Sequence, residues 1–161
     1  MNLLAWLAAG AVIVTASAPA QQPAPPAPAT QATATPVARV FGSNTGLVLN
    51  FIKADKTADF EAVMAKLKDA LDKSENPVRK QQAASWRVFK SPDAAAGGAA
   101  LYVYIVDPAV KGADYSVTAI LSEAFSADEL AALFKQYTES YATGQNYVNL
   151  TLLSDLGKPE P

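Results

Sequence analysis

Two tyrosines stand two residues apart in "ALYVYIV", residues 100 to 106, and this spacing places both phenols on one side of a β-strand. Other strand-like runs of the chain carry polar side chains in the same alternating pattern. A sheet could therefore collect seven residues as a candidate binding site: Asn50, Arg87, Tyr102, Tyr104, Tyr147, Asn149 and Thr151. Phenol, amide and guanidinium groups stack on rings and form hydrogen bonds, which suits a small aromatic or amphipathic ligand.

The composition removes most routes to catalysis, because the chain contains neither histidine nor cysteine. It therefore has no imidazole base, no Ser-His-Asp relay, no His or Cys metal ligand and no thiolate nucleophile. Asp107 and Asp114 flank Lys111, but their spacing lacks the dense oxygen ligands of a calcium loop. We predict no metal and no cofactor. The sequence favours a domain without catalysis, and a cofactor-free oxidoreductase is the alternative.

The charge balance argues against a nucleic-acid partner. The chain of 161 residues has a formal net charge of −2 and an isoelectric point near 5.1. Basic residues cluster between Lys73 and Lys90, and a solvated surface explains that cluster more simply than a phosphate site. The length is sufficient for one domain.

The first forty residues are typical of an export signal followed by a spacer. Residues 1–20 are apolar, uncharged in their side chains and end in Ala18-Pro19-Ala20, which predicts a signal peptide cleaved before Gln21. Residues 21–40 are rich in proline and alanine and predict an extended linker. The expected protein is periplasmic or secreted, with no stable membrane span after cleavage. A retained membrane anchor is the competing interpretation.

Hydrophobic periodicity predicts one folded domain over 41–156 and a short tail over 157–161. Helix boundaries rest on three residues, with Thr57 as an N-cap, Ser126 opening a capping box with Glu129, and Gly144 as a C-cap. The predicted elements in chain order are a strand over 46–52, a helix over 57–74, strands over 84–91 and 100–106, one or two helical turns over 117–124, a helix after Ser126 and a strand over 146–153.

The order βαββαβ predicts an α+β, ferredoxin-like fold with two helices on one face of a four-stranded antiparallel sheet. This plan resembles the dimeric α/β barrel superfamily, which includes antibiotic-biosynthesis-type monooxygenases, over residues 43–156. The stretches "NPVRKQQAASWRVFKS" and "LYVYIVDPAVKGADYSV" are also similar to exported bacterial proteins of unknown function. The resemblance implies the strand order 4-1-3-2, a homodimer, and a pocket residue at Asn50 on the first strand.

Alternation along each strand separates an apolar set from a mixed set. We predict that the apolar set lies under the helices: Leu47, Leu49, Phe51, Leu101, Val103, Ile105, Val148, Leu150 and Leu152. On the second strand, we predict the same side for Trp86 and Val88. The seven candidate residues then occupy the helix-free face, either as pocket lining or as a dimer interface. Three functions follow from this placement, namely a ligand-binding or interaction module, a monooxygenase-like enzyme, and a structural adaptor of the cell envelope.

Overall fold

The computed structural model describes residues 38–157. The predicted signal peptide over 1–20 and the linker over 21–40, except for residues 38–40, lie outside the described residues. So does the predicted tail over 157–161, except for Gly157. Export and the linker therefore stay predictions.

Four strands form one antiparallel sheet in the order β2-β3-β1-β4. Their bounds are Thr45–Ile52 for β1, Trp86–Ala94 for β2, Ala100–Val106 for β3 and Asn146–Leu150 for β4. β3 pairs with β1 and with β2, and β4 pairs with the other side of β1. The predicted α+β class, the β2–β3 hairpin and the ferredoxin-like strand order are confirmed.

Four helices accompany the sheet: α1 over Thr57–Lys73, α2 over Pro77–Ser85, α3 over Val117–Ala124 and α4 over Ala127–Ser140. The sequence prediction lacked α2. Hydrophobic periodicity could not find this helix, because its buried residues are Arg79, Gln82 and Ser85.

A different signal for α2 is present in its first residues. Asn76 caps the helix by accepting a hydrogen bond from the Val78 amide at 2.9 Å. Pro77 then occupies the first turn, where its missing N–H costs nothing and its fixed φ suits a helix. The Asn76-Pro77 pair therefore starts α2, and α1 ends before it at Lys73.

Helix and strand ends differ from the prediction at three places. Lys56 rather than Thr57 precedes α1, and no side chain caps it. Tyr141, in an extended conformation, ends α4, so Gly144 is not its C-cap. β4 ends at Leu150, where its pairing with β1 also ends. The capping box at Ser126 is confirmed.

The two faces of the sheet are the reverse of the prediction for β1, β3 and β4. Asn50, Tyr102 and Tyr104 are 0%, 3% and 0% exposed and point toward the helices. The phenol of Tyr102 donates to Glu61 Oε1 of α1 at 2.5 Å, and that of Tyr104 donates to Met64 Sδ at 3.1 Å. Burial of the two tyrosines is favourable because their rings fill the space under the helices and their hydroxyl groups form hydrogen bonds there. We call this side of the sheet the covered face.

The opposite side, which we call the open face, carries the residues predicted to form the core. Cross-strand partners share a face, so the observed register assigns each member. The open face consists of Thr45, Leu47, Leu49, Phe51, Arg87, Phe89, Leu101, Val103, Ile105, Asn146, Val148 and Leu150. Leu152 lies beyond β4. The prediction was right for β2, whose Trp86 and Val88 are on the covered face.

The segment just before β1 is tied to the loop between β3 and α3. The Arg39 amide donates to Asp114 Oδ1 at 2.7 Å, and the Tyr115 amide donates to the Arg39 carbonyl at 2.8 Å. Phe41 is buried, and a Cβ at Gly46 would lie 2.4 Å from its ring. A glycine at position 46 is therefore needed for this segment to pack against the sheet.

Replacement of Asp114 by alanine is expected to reduce stability in a pH-dependent way. Burial opposes ionisation of Asp114, but hydrogen bonds from Ser116 and the Arg39 amide, with the Arg79 charge, outweigh it and lower the pKa of the carboxyl. A lowered folded pKa stabilises the protein above the unfolded pKa of about 4 and loses this contribution as the pH falls below it. The loss in Asp114→Ala should be about 2 kcal/mol at pH 7.

Urea unfolding at pH 7 and at pH 3 measures this effect. The difference between wild type and Asp114→Ala should shrink at pH 3, whereas the exposed Asp93→Ala serves as the control with little change at either pH. A difference of the same size at both pH values would show that the ionised carboxylate does not contribute.

Candidate functional site

The structure does not bring the seven predicted site residues together. Five of them belong to the covered face, namely Asn50, Tyr102, Tyr104, Tyr147 and Asn149. Arg87 is exposed on the open face, and Thr151 is exposed just beyond the end of β4. Asn149 is used by the fold, since its Oδ1 accepts from the Gly42 amide at 2.8 Å.

Asn50 belongs to a polar cluster that joins β1 to the end of α4. Its Oδ1 lies 2.9 Å from the Tyr141 hydroxyl and 2.7 Å from Gln145 Nε2. The hydroxyls of Tyr137 and Tyr141 are 2.7 Å apart, and Gln145 Nε2 is 2.8 Å from each of them. We call these four residues the tyrosine–amide cluster.

The tyrosine–amide cluster has a structural role, because its hydrogen bonds hold β1 to the end of α4. Asn50 Nδ2 donates to the Tyr102 carbonyl at 3.2 Å, so both ends of the amide are engaged. Burial raises the pKa of Tyr137 and of Tyr141 above the ordinary value of a phenol, so both stay protonated near neutral pH. Neither phenol is therefore suited to act as a general base, and the Asn50 amide is occupied by protein groups.

A cavity of about 370 Å³ lies between α1, α2 and β2, on the covered side of the sheet. Six of its lining residues are apolar and two are charged: Met64, Leu67, Lys68, Leu71, Asp72, Ala83, Trp86 and Val88. Its size falls within the range of roughly 300–1,000 Å³ that is typical of small-molecule sites. We call it the Trp86 cavity.

The electrostatics of the Trp86 cavity are close to neutral. Lys68 and Asp72 are one helical turn apart on α1 and form an ion pair with each other. The hydrogen bond and charge of Asp72 raise the pKa of Lys68, which keeps this lysine cationic. The two charges compensate each other, so the cavity offers an apolar wall rather than a charged one.

Trp86 is the residue of this cavity with an unused polar group. Its indole N–H is buried and has no hydrogen-bond partner, and no other buried side-chain group among residues 38–157 lacks one. A buried donor without an acceptor costs about 1–3 kcal/mol, so such groups are rare in folded proteins. The ring itself is held by edge contacts with Tyr104 and Tyr115, at centroid distances of 5.6 and 5.4 Å.

Sequence reasoning placed Trp86 correctly on the covered face but did not identify it as a site residue. The cavity exists because α2 lies beside the second half of α1 and supplies Ala83 to its wall. Without α2 in the prediction, nothing marked this region as concave. The capping pattern at Asn76 and Pro77 was the signal that could have found it.

The open face is a second candidate site, for a partner rather than for a small molecule. Phe89, Val148 and Leu150 of this face are 49%, 37% and 38% exposed. Its one charged residue is Arg87, which is on the outer strand β2. The other apolar residues of this face are partly exposed. A contiguous exposed apolar patch on a protein surface often marks an interaction site.

Residues 38–157 contain no group of three or more His, Cys, Asp or Glu side chains placed to hold a metal ion. The helices of this range are too short or too polar to cross a bilayer.

Comparison with known proteins found no relative with which these two candidate sites could be compared. The chain matched no protein-family model, and no curated protein or solved structure was found to be similar to it.

Proposed function

We propose that this domain binds a small, largely apolar molecule in the Trp86 cavity and acts without catalysis. The Trp86 cavity carries the proposal, because it combines a volume of about 370 Å³ with a largely apolar lining. The compensated charges of Lys68 and Asp72 favour an uncharged ligand over an anion or a cation. An uncharged aromatic or aliphatic ring system fits this apolar lining best.

Tryptophan fluorescence tests the proposal directly. The chain has two tryptophans, so Trp6→Phe leaves Trp86 as the sole reporter in the full chain. Titration with the neutral apolar dye N-phenyl-1-naphthylamine should quench Trp86 emission with saturation. Ala83→Phe, which fills the cavity, should weaken dye binding at least tenfold, a change of about 1.4 kcal/mol.

A second apolar hollow provides the matched control. A hollow of about 440 Å³ lies between α3 and α4 and includes Leu130 and Phe134 in its lining. Phe134→Ala should leave dye binding to Trp86 unchanged. Undiminished quenching in Ala83→Phe, or loss of quenching in Phe134→Ala, would contradict the assignment of the ligand to the Trp86 cavity.

We propose in addition that the open face packs against the open face of a second copy, which makes the protein a homodimer through this surface. The support is the composition of the face, which has the side chains of a sheet interior with a charge only on its outer strand. Two such sheets can stack about 10 Å apart with their side chains interdigitated. The resemblance to dimeric α/β barrels points to the same pairing.

A charge at the centre of the open face tests this pairing. Val103→Lys should halve the particle mass measured by sedimentation at micromolar concentration, because a buried unpaired ammonium strongly disfavours association. Ala96→Lys, in an exposed turn between β2 and β3, should not change the mass. An unchanged mass in Val103→Lys, with circular dichroism like that of wild type, would refute pairing through the open face.

A further inference from the structure

The two edges of the sheet differ in how they are protected. At the β2 edge, Arg87, Lys90 and Asp93 carry charges, Pro92 lacks an N–H, and the pairing with β3 is irregular between Lys90 and Ala94. Charges, proline and irregular pairing are the features by which natural sheets avoid joining other strands. The β2 edge therefore shows no sign of adaptation to a partner strand.

The β4 edge has none of these features. The chain from residue 140 to residue 154 contains no charged residue and no proline. β4 pairs with β1 as far as Leu150, and no strand among residues 38–157 pairs with its outer side. Beyond β4, Leu152, Leu153 and Leu156 are 78%, 96% and 97% exposed. Within the described part of the chain, the outer backbone groups of β4 therefore have no partner strand, and the leucines that follow β4 are exposed.

We propose that β4 and the following residues 151–154 pair in antiparallel fashion with the same segment of a second copy. The free amides and carbonyls of an edge strand are a template for another strand. Two identical strands related by a two-fold axis satisfy both edges at once, as in other symmetric interfaces. The inference is independent of the ligand proposed for the Trp86 cavity.

The properties of the segment favour a second copy over an unrelated strand. A charged partner strand could form no ion pair with this uncharged segment. When the segment pairs with its own copy, no like charges lie opposite each other. A two-fold axis perpendicular to the sheet keeps the same side chains on the same face in both copies. Val148, Leu150 and Leu152 of the two copies would then lie side by side, which joins the two open faces into one apolar surface of eight strands.

This pairing is distinct from the proposed stacking of open faces. Edge pairing joins two copies side by side, and face stacking joins two copies front to front. Both together close a particle of four copies, and either alone gives a particle of two. The number of copies therefore separates the two proposals.

Sedimentation of the full chain and of three variants tests the edge pairing. Thr151→Pro with Leu153→Lys removes an amide and adds a charge beyond the last β1 contact, so the fold itself should not be affected. We expect four copies for wild type, two for this double variant, two for Val103→Lys and one when all three substitutions are combined. A double variant with the mass of wild type overturns the edge pairing, as does an open-ended aggregate in wild type. An unchanged Val103→Lys overturns only the face stacking.

Single cysteines provide a second measurement, because the natural chain contains none. In the Val103→Lys background, cysteine is placed in turn at each position from 148 to 152, so that every possible axis position is covered, and at Val88 on the opposite edge as control. Directly opposed residues of paired strands have Cβ atoms about 4.5–5.5 Å apart, so mild oxidation should link the position nearest the axis into a covalent dimer. Linkage at Val88 to the same extent, or at none of the positions from 148 to 152, contradicts the proposal.

Discussion

Replacement of Phe60 by alanine is expected to lower the free energy of unfolding by about 3–5 kcal/mol, the usual cost of removing a buried aromatic side chain. Phe60 is 0% exposed on α1 and lies at the centre of the covered face. Its ring centroid is 4.7 Å from that of Tyr102, 6.0 Å from that of Tyr141 and 6.1 Å from that of Tyr137. Alanine would leave a void among rings that are held in place by their own hydrogen bonds, so the void could not close readily.

Urea unfolding followed by circular dichroism measures this loss. Phe134→Ala on α4 is the matched control, because Phe134 is 51% exposed and its removal should cost less than about 1 kcal/mol. If Phe60→Ala cost no more than Phe134→Ala, the packing of α1 against the covered face would be contradicted.

Replacement of Arg79 by alanine is the second substitution with a large expected effect, about 2–3 kcal/mol. The side chain of Arg79 is 9% exposed on α2. Its guanidinium donates to Glu123 in bidentate fashion at 3.1 and 2.6 Å, to Gln82 Oε1 at 2.7 Å and to the Asp114 carbonyl at 2.6 Å. Its loss would remove this donor from Glu123 and from Gln82 Oε1, whereas the Asp114 carbonyl would keep its hydrogen bond from Gln82 Nε2 at 3.1 Å. The ion pair that joins α2 to α3 would also be lost.

The control for Arg79 lies on the same helix. Lys80 is 55% exposed and forms a single ion pair with Glu75, which is 95% exposed, so Lys80→Ala should cost no more than about 1 kcal/mol. Because α2 also forms a wall of the Trp86 cavity, Arg79→Ala should weaken binding of N-phenyl-1-naphthylamine as well. A variant that keeps both the stability and the dye affinity of wild type would show that α2 does not depend on this network.

The candidate site could be predicted only in part, and the reason is the amphipathic character of tyrosine. Tyr102, Tyr104 and Asn50 were correctly grouped on one face by alternation, which depends on covalent geometry alone. Alternation does not determine which face the helices cover. The covered face is determined by whether Glu61, Met64 and the end of α4 can form hydrogen bonds with these phenol and amide groups. Such partners are distant in sequence.

The Trp86 cavity could not be predicted for a related reason. Its wall requires α2, and α2 is held by polar burial rather than by an apolar stripe. The three acceptors of Arg79 come from α2 itself, from α3 and from the loop before α3. No local pattern in "PVRKQQAAS" shows that these groups meet.

By itself, the sequence determined the α+β class, the position of each strand, the two long helices and the capping box at Ser126, because these depend on periodicity and on contacts within a few residues. It also limited the chemistry, since a chain without histidine or cysteine cannot use imidazole or thiol groups. Only the tertiary structure decided which sheet face is covered, where a cavity remains and which edge is unprotected. These features depend on hydrogen bonds between residues that are distant in the sequence. The leucines predicted to form the core lie on the open face, because the tyrosines form hydrogen bonds with α1 and fill the core in their place.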